Sequence, residues 1–393
     1  MNALLHLSLV LAGSAGSDWP CWNGPEHNGV SRETGWSVEG KSEPLWRAQV
    51  GLGYSSFALQ GGRLFTLGHD AEKKLDTVFC FDAESGKPLW THSYASELWA
   101  QSHGGGTLST PSADGEVVYT SEREGELLCL KVADGSVVWR HQAVKDFGVP
   151  TPTWGFAASP LVLEQRLILN YGQVLALDKK DGHLLWRTER NYGHAYSTPI
   201  EIQHGEKRAL VVFDGSGLGV VALEDGRELA FAPWDVVDKV KSMTPVALGT
   251  GVFLSAYPWG ATLIDLAGEA PRKVWASKVM SNQMAGCVPW EEKLYGFDIQ
   301  LLKCIDGDGQ ELWRERGIGA GAVSVAAGRL LIVSGEGDLI VAEASPAGYK
   351  PLSRRHVLDV AGAPFWTIPV LADGRIYVRS HAGELVALDH RQP

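Results

Sequence analysis

The sequence has no block of basic residues, no CxxC pair and, after its first 15 residues, no apolar run of membrane-spanning length. Each gap excludes a class of function. Lys and Arg number 35 against 46 Asp and Glu, a formal net charge of −11. Such a surface repels phosphate backbones and anionic lipid, so nucleic acid is not an expected partner. Beyond Leu4–Leu11, no stretch approaches the roughly 20 apolar residues of a membrane-crossing helix. The cysteines are Cys21, Cys80, Cys129, Cys287 and Cys304, an odd number without metal-ligand or thioredoxin-type spacing. The strings GxSxG and HExxH and the phosphate-loop motif do not occur. Gly317–Ala322 imitates a dinucleotide fingerprint, but a strand rather than a helix is expected after it. Asp306-Gly307-Asp308-Gly309 imitates a calcium loop, but it lacks the Glu at position twelve and reads as a turn.

What the chain does contain is turns: 46 glycines and 19 prolines. It opens on a short apolar run, Leu4 to Leu11, followed by the small residues Gly13, Ser14 and Ala15. That pattern predicts a secretion signal over 1–15, and a periplasmic or extracellular mature protein. Residues 16–43 are expected to form an N-terminal extension, and residues 44–393 a single repeat domain.

The repeat is visible as a strand, a polar turn with Gly, and a second strand ending in tryptophan. VFCFDAESGKPLW ends at Trp90, LLCLKVADGSVVW at Trp139 and VLALDKKDGHLLW at Trp186. Related copies end at Trp275 and Trp313. The first three tryptophans stand about 48 residues apart, a spacing characteristic of propeller blades. The gap from Trp186 to Trp275 is close to twice that and holds a degenerate copy, with Ala230 near the tryptophan position. A further degenerate copy follows Trp313. Upstream of each hairpin lies a short polar–Pro slot: Thr110-Pro111, Ser159-Pro160, Thr198-Pro199 and Thr244-Pro245, with looser versions at Ser56, Val288, Ala322 and Ile368.

Eight slots predict an all-β, eight-bladed propeller of four-stranded antiparallel blades, with strands A to D running outward from the axis. The last copy, ELVALD, lacks an outer partner, and Glu43–Arg47 is a lone outer strand with its tryptophan at Trp46. Pairing the two would close the ring and leave no open edge. Each repeat tryptophan is then expected between neighbouring blades, its N–H requiring an acceptor. Cys80, Cys129 and Cys304 share one register on strand C, where Ala176 stands in another blade. They read as buried, free thiols.

These repeats resemble PQQ-type repeats, shared by quinoprotein dehydrogenases and the outer-membrane assembly protein BamB. The resemblance covers roughly Pro44 to Asp389. The stretch EASPAGYKPLSR is also similar to PQQ-like propellers. DWPCWNGPEHNGVS resembles an N-terminal motif of exported bacterial proteins with this domain. The resemblance implies the propeller fold without implying a cofactor, since many members bear the repeat without the quinone. Ser14 stands where a lipobox would need Cys, and no two cysteines are adjacent as in many quinoprotein enzymes.

The D–A connections, which cross one face near the axis, are unequal. Residues 91–109 and 140–158 form the longest, against 187–197, 276–287, 314–321 and 47–55. Insertions on one face of a repeat protein commonly mark its binding face. These loops also concentrate aromatic, amide and imidazole groups. The candidate ligand or partner site comprises Tyr54, Trp99, Gln101, His103, Trp154, Tyr192, His194, Gln283 and Trp366; Phe147, Phe156, Tyr196, Met284 and Phe365 are neighbours in the same loops. No catalytic residue and no metal ligand is assigned. The sequence therefore reads as an exported, monomeric, non-enzymatic propeller that binds a protein partner or small ligand. The alternative is a quinoprotein oxidoreductase using PQQ with calcium.

Overall fold

The computed structural model describes residues 18–99, 103–193, 196–234, 241–268, 270–359 and 365–392. The predicted signal segment lies outside them. Among the described residues the strands form eight antiparallel sheets, one per repeat. Blade 1 comprises Ala58–Gln60, Arg63–Asp70, Leu75–Asp82 and Pro88–Ala95. Blade 2 comprises Ser112–Asp114, Val117–Ser121, Glu126–Lys131 and Val137–Gln142. Blades 3 to 7 repeat this order through Pro351–His356. Blade 8 takes three strands from the C-terminal end, and Pro44–Gln49 supplies the fourth. Trp46 pairs with Ala387 there, which is the ring closure the sequence predicted.

Strand position decides burial. The B and C strands are covered on both faces by adjacent blades, so Arg329–Val333 and Asp338–Glu343 are almost wholly buried and read as continuous apolar runs. The D strands lie at the rim and alternate, as in Pro88–Ala95. Every D strand also carries a register shift one residue before the tryptophan position, for example between Val137 and Trp139 or Lys273 and Trp275. The skipped residue is Leu89, Val138, Leu185, Val274 or Leu312 in five blades, and each is exposed. A bulge of this kind increases strand twist and disrupts the outer edge as a template for other strands.

Tryptophans lock six of the eight blades to the next. Their Nε1–H groups donate to the C–D turn of the following blade: Trp46 to Ala83 O at 3.1 Å, Trp90 to Val132 O at 2.8 Å, Trp139 to Lys179 O at 3.2 Å. Trp186, Trp275 and Trp313 donate in the same way to Leu223, Gly307 and Ser345. Gly135, at φ +73° in such a turn, lies flat on Trp90, and a Cβ there would stand 2.5 Å from the indole. Ala230 occupies the tryptophan register in blade 4, as expected of the degenerate copy. Beneath the indoles lie Cys80, Cys129 and Cys304, paired with Trp90, Trp139 and Trp313. All five cysteines are free and buried. Burial pushes the Cys80 and Cys304 thiols up to about 11, and Cys129 to about 12.

Three features refine the sequence reading. The loop after blade 2 opens with a helical turn, Ala143–Phe147, capped by the Gln142 side chain and ended by Gly148 at φ +67°. Asp306 accepts backbone N–H groups from Asp308 and Gln310, so this acidic string is a turn. Blade 7 has a fifth strand, since Val30–Ser31 lies parallel to Ala322–Ala326 on its axial side. No helix of the described residues is long and apolar enough to cross a membrane.

Candidate functional site

The polar–Pro slots meet at the axis. There the A strands begin, and their first backbone N–H groups have no strand partner on the inner side. Hydroxyls from the next blade satisfy them: Ser56 N donates to Thr110 Oγ1 at 3.0 Å, Thr110 N to Ser159 Oγ at 2.9 Å, and Ser159 N to Thr198 Oγ1 at 2.9 Å. At the next slot, Thr244 Oγ1 accepts instead from the indole of Trp22, at 2.9 Å.

Trp22 belongs to the N-terminal segment, which runs across the axis on the A–B side of this hydroxyl belt. Trp19 and Leu59 exchange backbone hydrogen bonds of 3.0 and 2.8 Å in blade 1. Ala113 N of blade 2 donates to Pro20 O at 2.8 Å, and Val325 N of blade 7 to Gly29 O at 3.0 Å. Gly29 has φ +79°, and a Cβ would stand 2.6 Å from Val288 Cγ1 of blade 6. The segment then follows blades 7 and 8 outward. Lys41 pairs with Asp389 at 2.6 Å, beside Arg391, and Pro44–Gln49 follows. Arg391, with Lys41, holds the Asp389 carboxyl well below the usual range.

Between the segment and the D–A loops lies a cavity of about 620 Å³, floored by Trp22. One side is an aromatic cluster: Tyr54 lies 4.5 Å from Trp366 in a tilted contact, with His103 edge-on at 5.9 Å, while His381, outside the lining, stacks on Tyr54 at 4.6 Å. Tyr54 OH donates to His103 O at 2.8 Å. Trp154 and Tyr196 form a second aromatic pair in the lining, with ring centroids 5.6 Å apart. Gln283, Met284 and Tyr257 complete the rim. No Asp, Glu, Lys or Arg lines the cavity among the described residues. Burial lowers the imidazole pKa values of His103 and His381, which favours their neutral forms. The Nδ1 atom of His103 is buried without a hydrogen-bond partner.

Two buried arginines fix the loops that bear these groups. Arg123 donates to Gly106 O and Ser96 Oγ, each at 2.9 Å, and pairs with Asp76 at 3.3 Å, holding the His103 loop. Arg379 donates to Ser55 O at 2.8 Å and Gly51 O at 3.2 Å, holding the Tyr54 loop. The Tyr54 and His103 side of the cavity is therefore anchored to the blades by buried hydrogen bonds.

Of the nine candidate residues, Tyr54, His103, Trp154, Gln283 and Trp366 line the cavity. Trp99 is half-buried near Gly105, outside the lining. Tyr192 is also outside it: the ring is fully buried between blades 3 and 4, and its hydroxyl donates to Glu228 at 2.9 Å. A glycine on the neighbouring blade, Gly219, makes room for that ring and so draws it into the core. Gln101 and His194 lie outside the described residues. Phe147, Phe156 and Phe365 are core residues. The loop reading passed over Trp22 and the hydroxyl belt. The signal for both was present, in the DWPCWNGPEHNGVS motif and the recurring Thr/Ser-Pro pairs.

Comparison with known proteins fits this architecture. The family model described as outer membrane protein assembly factor BamB matches residues 77–296 and 298–392. BamB from Moraxella catarrhalis superposes with a TM-score of 0.62 at 14% identity, over 88% of this chain and 99% of its own. A europium-containing methanol dehydrogenase gives 0.70 at 10% identity, over 92% and 89%. The quinohemoprotein alcohol dehydrogenase ADHIIG from Pseudomonas putida gives 0.69 at 12%, over 96% and 81%. At these identities the likeness concerns the fold. No curated protein sequence matches the chain.

Proposed function

The chain belongs to the family described as outer membrane protein assembly factor BamB, and from that premise we propose that it is an exported, non-catalytic propeller that binds a small ligand or a partner's loop on the axial face bearing residues 91–109 and 140–158. The carrying observation is the uncharged, aromatic-walled cavity, whose volume lies in the range of small-ligand sites. Its rings offer flat apolar faces, and the hydroxyls and Gln283 offer a few directional hydrogen bonds. The family description and the apolar run at Leu4–Leu11 support export.

The quinoprotein resemblance raises a cofactor that can be tested against these side chains. PQQ is a polycarboxylate, and its calcium takes six to eight oxygen ligands, typically including carboxylates. The described lining residues supply neither a carboxylate for the metal nor a cationic side chain for the quinone. They do not fit the pair, and no redox step is assigned.

Thermal denaturation with PQQ and calcium checks this directly. A ligand that binds only the native state raises its stability. No saturable rise is expected; a saturable rise would overturn the non-catalytic reading. Soaking crystals with a set of uncharged aromatic and sugar fragments tests the site itself. Fragments should gather between Trp154 and Trp366, and replacing Trp154 and His103 by Ala should weaken the best of them by about 2 kcal/mol if they are hot spots, with the fold intact. Fragments confined to other surfaces would refute the placement.

A further inference from the structure

The chain's own N-terminal segment bonds to the inner edges of blades 1, 2 and 7 and brings Trp22 into the cavity lining. We infer that residues 18–31 are part of the binding site, with Trp22 as the stacking platform for the terminal ring of an uncharged saccharide. This rests on the proposed axial binding site and names its ligand class.

Three observations carry the inference. First, Trp22 is held rather than merely present. Its N–H is taken by Thr244, at a slot where the belt elsewhere bonds blade to blade, while the flanking residues are pinned to blades 1, 2 and 7. Its ring remains only half-buried and forms the cavity floor. Second, the lining is free of charge among the described residues and combines aromatic faces with Ser159, Thr198, Ser242 and Gln283. A pyranose presents the complementary surface: an apolar C–H face and a rim of hydroxyls that both donate and accept. A hydroxyl that accepts from a backbone N–H still keeps its own hydrogen to donate. Third, a peptide would seek strand edges for its backbone groups. At blades 1, 2 and 7 those inner edges already bond the N-terminal segment. The cavity lining itself offers ring faces, hydroxyls and an amide.

The test is calorimetric titration of the full chain with maltohexaose, cellohexaose and chitohexaose, and with a blocked, uncharged aromatic hexapeptide. The variants are Trp22→Ala, Trp22→Phe, Thr244→Val and Trp366→Ala, each with its melting temperature measured. At least one hexasaccharide should bind the parent. Trp22→Ala should weaken it roughly 30-fold, the loss of an aromatic hot spot, and Trp22→Phe should retain most of the affinity. Thr244→Val keeps the side-chain shape and releases the indole, so an intermediate loss is expected even if Trp22→Ala proves too unstable to titrate. If Trp366→Ala abolishes sugar binding while Trp22→Ala and Thr244→Val leave it unchanged, the platform is wrong and the axial site stands. If the peptide binds and no sugar does, the ligand class is wrong and the axial site stands. If none of the four probes binds, both the inference and the axial site are overturned.

Discussion

Replacing Gly135 by Ala should loosen the joint between blades 1 and 2 without altering the core of either. Gly135 occupies the C–D turn of blade 2 at φ +73°, and an added Cβ would stand 2.5 Å and 2.8 Å from two carbons of the Trp90 indole. The left-handed backbone alone costs an L side chain about 1 kcal/mol. The clash adds to this. Trp90 is sandwiched between the turn and its own sheet, so it cannot retreat without losing the 2.8 Å bond to Val132 O. Losing that bond costs about 1 kcal/mol, and the repacking a further 1 kcal/mol or so. Gly135→Ala should therefore destabilise by about 3 kcal/mol in all. Gly115 gives the control within the same blade: its φ is +63°, yet a Cβ there would meet nothing within 4 Å. Gly115→Ala should cost only the backbone share, about 1 kcal/mol. Urea denaturation followed by intrinsic fluorescence measures both. In a Trp90→Ala background the extra cost at Gly135 should vanish, because the atoms it collides with are gone. Equal costs for the two alanines in the parent protein would refute the interlock.

The strand C thiols should be inert in the native protein. At pH 8, a thiol reagent should find Cys80, Cys129 and Cys304 unreactive until denaturant is added, since burial holds their pKa values at about 11 to 12; rapid native labelling would contradict this. His390 should make stability depend on pH. Burial lowers its pKa to about 4 while its Nδ1 donates to Ser37 O at 2.7 Å, against about 6.5 in the unfolded chain. The folded state resists the proton, so this contribution is complete above pH 6.5 and is lost as pH falls towards 4. It amounts to about 3 kcal/mol, and His390→Gln should flatten the profile across that window; an unchanged slope would exclude the assignment. Removing residues 18–50 deletes the outer strand of blade 8 together with the channel crossing. Melting should fall by many degrees and protease should enter at blade 8, whereas parental stability would show that the ring closes otherwise.

The propeller was legible in the chain because its information is local and repeated. Trp90, Trp139 and Trp186 recur with a turn glycine and a small strand C residue, and each copy states the same contact again. Degenerate copies such as the one at Ala230 could be placed by spacing alone. The closing strand could be named because ELVALD lacked a partner and Glu43–Arg47 had none either. The site was legible only in part. Tyr54, His103, Trp154, Gln283 and Trp366 were recognisable as unusual loop residues, but nothing in their local sequence distinguishes them from Tyr192. That residue is equally aromatic and equally placed after its tryptophan, yet its hydroxyl finds Glu228 and its ring fills the space beside Gly219.

The repeat pattern thus suffices for blade number, strand order, the tryptophan joints and the buried thiols, since each depends on neighbours within one repeat or the next. Which loop side chains converge, and what closes the channel under them, depends on contacts across the whole ring. Trp22 lies 222 positions from Thr244 along the chain, and they become hydrogen-bonded partners only when the eight blades bring blade 5 to face the N-terminal segment. No repeat encodes that distance, because the segment is not a repeat and its partners are spread over separate blades.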